Sequence, residues 1–126
     1  MRLMLVLALT LYWEARSEGD RGMELVASVI WNRAGGEIRD LRSVCLKPYQ
    51  FSCWNGKSVE DVELPWHDDP EWVMAQEIAR KMVRGEFECS TSATHYYNPS
   101  LCSPSWAKQM QEILRTGNHV FLKEKK

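Results

Sequence analysis

The sequence predicts a mainly helical domain of the α+β kind, with long loops and a minor β element. Three observations carry this prediction. Apolar residues recur at helical spacing in several stretches, those stretches begin and end on capping signals, and the segments between them are long and rich in turn residues. At 126 residues the chain is expected to be one domain, 1–126, large enough to bury its own core. Hydrophobic residues at 44% and charged residues at 26% fit an ordinary globular protein rather than a disordered one. The net charge of −1, with no basic stripe interleaved with aromatics, argues against a nucleic-acid partner. The closing Lys123-Glu124-Lys125-Lys126 reads as a solvated end.

Residues 3–13 form the first apolar run, preceded by Arg2. A basic residue and a short apolar stretch outline a secretory signal, but no small-x-small cleavage site precedes Glu14. The run is too short for a standard transmembrane helix, so no membrane insertion is expected and the stretch reads as a buried first helix. Asp20 precedes a second helix over residues 21–34, with Met23, Val26, Ala27, Ile30 and Trp31 on one face and Gly35-Gly36 as its stop. A short helix is possible over residues 40–46, ended by Pro48. Asp69 as N-cap and Pro70 in the first position open a helix over residues 71–84, with Gly85 as stop. Ser103-Pro104 repeats that start signal, and Trp106, Met110, Ile113 and Leu114 predict a last helix before Gly117. Residues 49–69, 87–99 and 118–122 read as loops or short extended pieces. Within them Thr94-His95-Tyr96-Tyr97 is strand-like, and long loops in small domains often carry function.

The four cysteines stand at 45, 53, 89 and 102, without the C-x-x-C spacing of a zinc ribbon or redox site. Sequence proximity favours Cys45 with Cys53 and Cys89 with Cys102 if the thiols oxidise; four reduced thiols packed as small hydrophobes is the alternative. A zinc site from His95 and His119 with Cys89 or Cys102 lacks any H-x-H or H-x-x-x-D support, so no metal or other cofactor is expected. Six tryptophans are many for this length. They fill a core or line a groove, since flat aromatic faces stack on sugar rings as well as on side chains.

The chemistry concentrates in Glu14-Ala15-Arg16-Ser17-Glu18, at the exit of the first apolar run. Apolar surroundings make an ionised carboxylate costly, so Glu14 stays neutral, pairs with Arg16 or Arg21, or reaches a cleft. A glutamate kept protonated near neutral pH is the general acid a glycosidase needs. Glu18 lies four residues on and shares a helix face with Glu14 if the helix continues. Gly19 and Asp20 suggest that it stops just beyond Glu18, placing both carboxylates in the last turn, where the helix dipole disfavours their charge.

Three segments then carry a resemblance. Glu14-Ala15-Arg16-Ser17-Glu18, followed by Val26-Ala27-Ser28-Val29-Ile30-Trp31-Asn32-Arg33, resembles the opening motif of the SleB-type cell-wall hydrolases, which include spore-cortex-lytic enzymes and phage endolysins. Gln50-Phe51-Ser52-Cys53-Trp54 is similar to the family's central Q-F-S segment. Ala93-Thr94-His95-Tyr96-Tyr97-Asn98-Pro99, with Trp106 and Gly117-Asn118-His119-Val120-Phe121, is similar to its C-terminal half. One departure is Glu88-Cys89-Ser90-Thr91-Ser92, where the family often carries a small or glycine-rich segment.

The resemblance implies a small lysozyme-like, lytic-transglycosylase-like fold and cleavage of peptidoglycan glycan strands, with Glu14 as acid/base. It implies action on the bacterial cell wall. A monomer is expected, and the unconvincing signal sequence favours synthesis without a cleaved signal peptide, as in a phage enzyme. Gln50 and Ser52 offer groups for N-acetyl substituents, and Phe51 or Trp54 a ring to stack on. Glu18 is expected to hold Arg16, a loop donor or a water. Tyr97 and Asn98 are the candidates to orient Glu14 or stabilise positive charge at C1, and His95 stands beside them. Tyr96 and Tyr97 point to opposite faces of a strand, so one of them faces the core. A muramidase using water and a non-catalytic glycan-binding domain are the alternatives.

Overall fold

In the computed structural model, which describes residues 2–48 and 50–125, four helices surround a common core and a three-stranded sheet closes one side. Tyr49, at the head of the first predicted loop, and Lys126, at the end of the basic tail, lie outside the described residues.

Helix α1 (Leu3–Ala15) is apolar all round, and Val6, Leu7, Ala8, Leu9 and Leu11 are fully buried. A helix without a polar face must be covered on every side, and α2 (Gly19–Arg33), α3 (Ile38–Leu46) and α4 (Pro70–Val83) supply that cover. Thr10 is tolerated there because its hydroxyl donates to the Val6 carbonyl at 2.8 Å and accepts from the Trp54 indole at 2.9 Å. Helix α4 starts as predicted, with Asp69 Oδ1 accepting from the Glu71 amide at 2.9 Å and Pro70 in the first turn. Tyr12 also donates to Asp69, tying the last turn of α1 to that cap. Helix α2 begins two residues earlier than predicted: Glu18, not Asp20, occupies the N-cap position, and Asp20 lies in the first turn.

The clearest correction concerns the last predicted helix. Its first part is a short 3-10 helix, Ser105–Gln109, and the rest is strand β2 (Met110–Thr116). Strand β3 (His119–Glu124) lies in the middle of the sheet, antiparallel to both β2 and β1 (His95–Tyr97). A register shift between Glu112 and Leu114 places a bulge at Ile113, so the half-buried residues 113 and 114 are consecutive. That breaks the strand's period of two and leaves apolar residues at 110, 113 and 114, the spacing of a helix. The segment after it, predicted as loop or a short extended piece, is the best-buried strand, with Val120, Phe121 and Leu122 in the core.

All four cysteines are free thiols, so neither short-loop pairing is present. Burial pushes the Cys45 and Cys53 thiols up to about 12, which keeps them inert at neutral pH. Cys89 donates to Asn32 Oδ1 at 3.2 Å, and Cys102 sits on the Asn98 carbonyl at 3.7 Å. Among the described residues no helix is long and apolar enough to cross a membrane.

Candidate active site

Glu14 stands in the last turn of α1, where the buried helix delivers it to an open cleft of about 550 Å³. Its carboxylate is held from two sides. The Tyr96 hydroxyl, from β1, donates to Oε1 at 2.9 Å, and the Ser52 hydroxyl, from the 3-10 turn Ser52–Trp54, donates to Oε2 at 3.3 Å. Burial raises the Glu14 pKa above the ordinary glutamate value, and the two hydroxyls pull it back in part. Neither Arg16 nor Arg21 pairs with it; the Arg16 guanidinium lies over the Trp13 ring, 5.0 Å from the centroid. The carboxyl is therefore poised toward its neutral, proton-donating form by its surroundings.

Glu18 does something else. Helix α1 ends at Ala15, so the two glutamates do not share a helical face. The Glu18 side chain, 4% exposed, accepts from the Asn118 amide at 2.8 Å and from Asn118 Nδ2 at 2.9 Å. This is the loop donor among the partners expected for it. His119 Nδ1 approaches Glu18 Oε1 to 3.4 Å without hydrogen-bond geometry. Two glycines make room. A Cβ on Gly22 would stand 2.5 Å from Glu18 Cβ, and one on Gly117 would stand 2.6 Å from Oε1. Gly117 also has φ +56, in the left-handed region that favours glycine at this hairpin turn.

The tyrosine assignment is corrected by register. Tyr96 pairs with Phe121 across β1 and β3, which turns its ring onto Phe121 and His119 and its hydroxyl onto Glu14. Its phenol pKa is raised well above the ordinary value, first by burial and then by the Glu14 charge, so it stays a donor. Tyr97 faces the cleft instead, edge-on to Trp106 at 5.9 Å, beside His95, whose ring lies 5.2 Å from Trp106. Burial and the nearby Arg33 charge lower the His95 pKa, and Thr94 Oγ1 lies 2.9 Å from its Nδ1. Asn98 does not orient Glu14. Its Oδ1 accepts from the Ser100 amide at 2.9 Å, as a residue of the turn before Pro99.

The central segment is split. Gln50 lines the cleft and Ser52 reaches Glu14. Phe51 is 1% exposed and forms the cleft floor, and Trp54 is buried on Thr10, so neither offers a free stacking face. The exposed ring on the cleft wall is Trp106, at 39%. Trp106, Tyr96 and Arg33 are the site residues that sequence reasoning passed over, although each lies within a quoted motif. Asn32, beside Arg33, explains the second half of the opening motif. Its side chain donates to the Thr91 and Ala93 carbonyls, both at 2.8 Å, while Ser28 Oγ accepts from the Ser90 amide at 3.0 Å. These bonds set the loop that leads into β1, where the glycine-rich segment is missing. Among the described residues no group of three or more His, Cys, Asp or Glu is placed to hold a metal ion.

Residues 17–122 match the family described as Cell Wall Hydrolase. The chain belongs to the cell wall hydrolase family. The match starts three residues after Glu14, so it does not itself include that residue. Similar curated proteins include the spore cortex-lytic enzyme of Bacillus subtilis, 27% identical over 121 residues that cover 92% of this chain and 36% of that protein. The spore cortex-lytic enzyme of Oceanobacillus iheyensis is 28% identical over 120 residues, covering 94% of this chain and 40% of that protein. The chain thus spans a little over a third of the length of these relatives. Among solved structures, the catalytic domain of the germination-specific lytic transglycosylase SleB from Bacillus anthracis superposes with a TM-score of 0.70 at 24% identity, over 95% of this chain and 93% of that one. The SleB catalytic domain of Bacillus cereus gives the same TM-score and identity, over 95% and 88%. The fold is accordingly that of a SleB-type catalytic domain, lysozyme-like as expected.

Proposed function

We propose that this chain cleaves the glycan strands of peptidoglycan between N-acetylmuramic acid and N-acetylglucosamine, with Glu14 as its one acid/base. One observation carries the reading. Glu14, its pKa raised by burial, is the sole carboxylate among the described residues lining the cleft, and it is held by two neutral hydroxyls. Protonated Glu14 donates to the glycosidic oxygen as the bond to C1 lengthens toward an oxocarbenium ion. The resulting carboxylate then takes the proton of the muramyl C6 hydroxyl as that oxygen attacks C1. The products are a 1,6-anhydro end and a free hydroxyl on the departing sugar, with no water consumed.

The alternative in which water attacks C1 calls for a second carboxylate across the bond in the common glycosidase schemes, about 5–9.5 Å from the first. Glu18 is spent on Asn118, and no other acid lines the cleft among the described residues, which favours the intramolecular route. The solved neighbour described as a lytic transglycosylase supports the same choice. The stacking wall of Trp106 and Tyr97 suits a sugar ring. On this reading the chain acts on the bacterial wall as a monomer.

Mass spectrometry of purified peptidoglycan digested with wild type and with Glu14→Gln tests this. Products ending in 1,6-anhydro-muramic acid, lost in the variant, are expected. Reducing-end muramic acid would replace the intramolecular nucleophile by water. Full function in Glu14→Gln would leave a glycan-binding domain.

A further inference from the structure

The cleft has an annex that the chemistry at Glu14 does not use. A cavity of about 280 Å³ is lined by Arg33, Val44, Lys47, Gln50 and His95, and it shares Arg33, Gln50 and His95 with the cleft that holds Glu14. A ligand seated over Glu14 reaches it without crossing protein. The annex is cationic, and no acidic residue lines it among the described residues.

Arg33 is its centre. The guanidinium is half-buried in the last turn of α2, facing the Tyr96 and His95 side of the cleft. No carboxylate lies within 4 Å of it and no hydrogen bond engages it among the described residues; the partners that Asn32 finds next door have no equivalent here. The helix C-terminus offsets part of the cost of holding that charge out of water, but a guanidinium fork is satisfied best by a planar anion taken bidentately. Lys47, exposed on the rim, adds a second permanent cation. Burial favours uncharged His95, which leaves it able to accept or donate one hydrogen bond.

We propose that this annex is a carboxylate subsite. It grips the acid borne by the muramyl residue whose C1 is over Glu14, either the lactyl acid itself or a carboxylate of a peptide built on it, and so selects acid-bearing strands. The proposal rests on the glycan-strand reading above and deepens it: Glu14 supplies the chemistry, and Arg33 supplies register along the strand. A muramyl sugar differs from its neighbour by this acid, so a cation beside the cleft distinguishes the two sugars of the repeat.

The test compares kcat/KM on peptide-free glycan strands with free lactyl carboxylates and on strands with intact stem peptides, each before and after methyl esterification. Wild type is expected to prefer the acid over the ester at least about tenfold, the scale of a charge-assisted pair. In Arg33→Met that ratio should fall to near one, mostly through KM, while Arg33→Lys recovers part of it. Lys47→Met, at an exposed position that does not threaten folding, should reduce the ratio about threefold. Retention of the preference on intact stems assigns the bound acid to the peptide, and its restriction to peptide-free strands assigns it to the lactyl group. Equal cleavage of acid and ester by wild type, or an unchanged ratio in both Arg33→Met and Lys47→Met, overturns the subsite and leaves the glycan-strand reading standing. Cleavage of neither strand by wild type overturns both.

Discussion

Glu14 and Glu18 are four residues apart, close to the same helix end, and the fold gives them opposite work. Glu14 meets two neutral hydroxyls and a cleft, and burial keeps it toward the protonated form. Glu18 meets a backbone amide and a side-chain amide across 100 residues of chain, with 4% of its side chain exposed, and fastens the α1–α2 corner to the β2–β3 turn. A carboxylate that accepts strong donors is a structural pin, while one left with weak donors beside solvent is free to move a proton. Tyr96 stands between them, its hydroxyl on Glu14 and its ring 4.8 Å from that of His119, which borders Glu18.

The largest effect should separate the two outright. Glu14→Gln is expected to lower glycan cleavage by about 10²–10⁴-fold, the range for loss of a general acid, with the fold intact. Because the folded pKa of Glu14 is raised, its favourable neutral form is fully populated below the unfolded glutamate pKa and is lost as pH rises through the folded value. Gln is neutral throughout, so the variant should melt at or above the wild-type temperature at pH 7, with the gap closing near pH 4. Glu18→Ala should do the reverse, costing about 3 kcal/mol of stability for two hydrogen bonds to a buried carboxylate and leaving both Asn118 donors without their acceptor. Denaturant melts and product assays on both variants settle it. A Glu18→Ala protein of normal stability that has lost its activity would reverse the assignments.

Gly117→Ala attacks the same pin from the other side of the contact. The methyl would stand 2.6 Å from Glu18 Oε1 on a backbone at φ +56, so both the contact and the dihedral oppose it. A loss of about 1–3 kcal/mol is expected. In combination with Glu18→Ala the two losses should be well short of additive, because the clash disappears with the carboxylate. Additive losses would mean that the glycine serves only its own backbone.

This pair of environments is half legible in the chain. Glu14 could be found because an acid at the exit of an all-apolar helix has few structural explanations, and the helix itself was plain from its composition. The caps of α4 were local and read correctly. Glu18 was placed on the same face as Glu14 because spacing presumes a continuous helix, and the break after Ala15 sets that presumption aside. Its real partner lies 100 residues away, a distance over which a single sequence gives no signal. Tyr96 and Tyr97 show the same limit on a smaller scale. Alternation says they face opposite ways, but which one meets Glu14 is set by pairing with Phe121, and the sequence marks residues 118–122 only as loop or a short extended piece. Trp54 and Phe51 were legible as aromatics near the site and illegible as core, since burial depends on Thr10 and the packing of α1.

A smaller effect, Tyr96→Phe, sharpens the comparison by touching Glu14 without touching its charge. The Tyr96 hydrogen bond lowers the Glu14 pKa, so its loss should raise that pKa further. On the proposed mechanism cleavage needs protonated Glu14, so the alkaline limb of the pH–rate profile should move to higher pH. The maximal rate should fall within about tenfold, as one positioning bond is lost. A limb that moves to lower pH would mean that the limb reports a group other than Glu14.

The smallest effect is expected from Ser52→Ala, and its value is in its sign. Ser52 is exposed and its bond to Glu14, at 3.3 Å, is longer than the 2.9 Å bond from Tyr96, so removing it should change the rate less than Tyr96→Phe does. It lowers the Glu14 pKa by the same means, and the alkaline limb should again move upward, by less. The double variant keeps the burial that raises the pKa and loses both hydroxyls that restrain it. Its limb should therefore stand higher than either single variant's. If Ser52→Ala moves nothing while Tyr96→Phe moves the limb, the acid is tuned from β1 alone, and the central loop contributes Gln50 and the Phe51 floor to the substrate rather than to the proton.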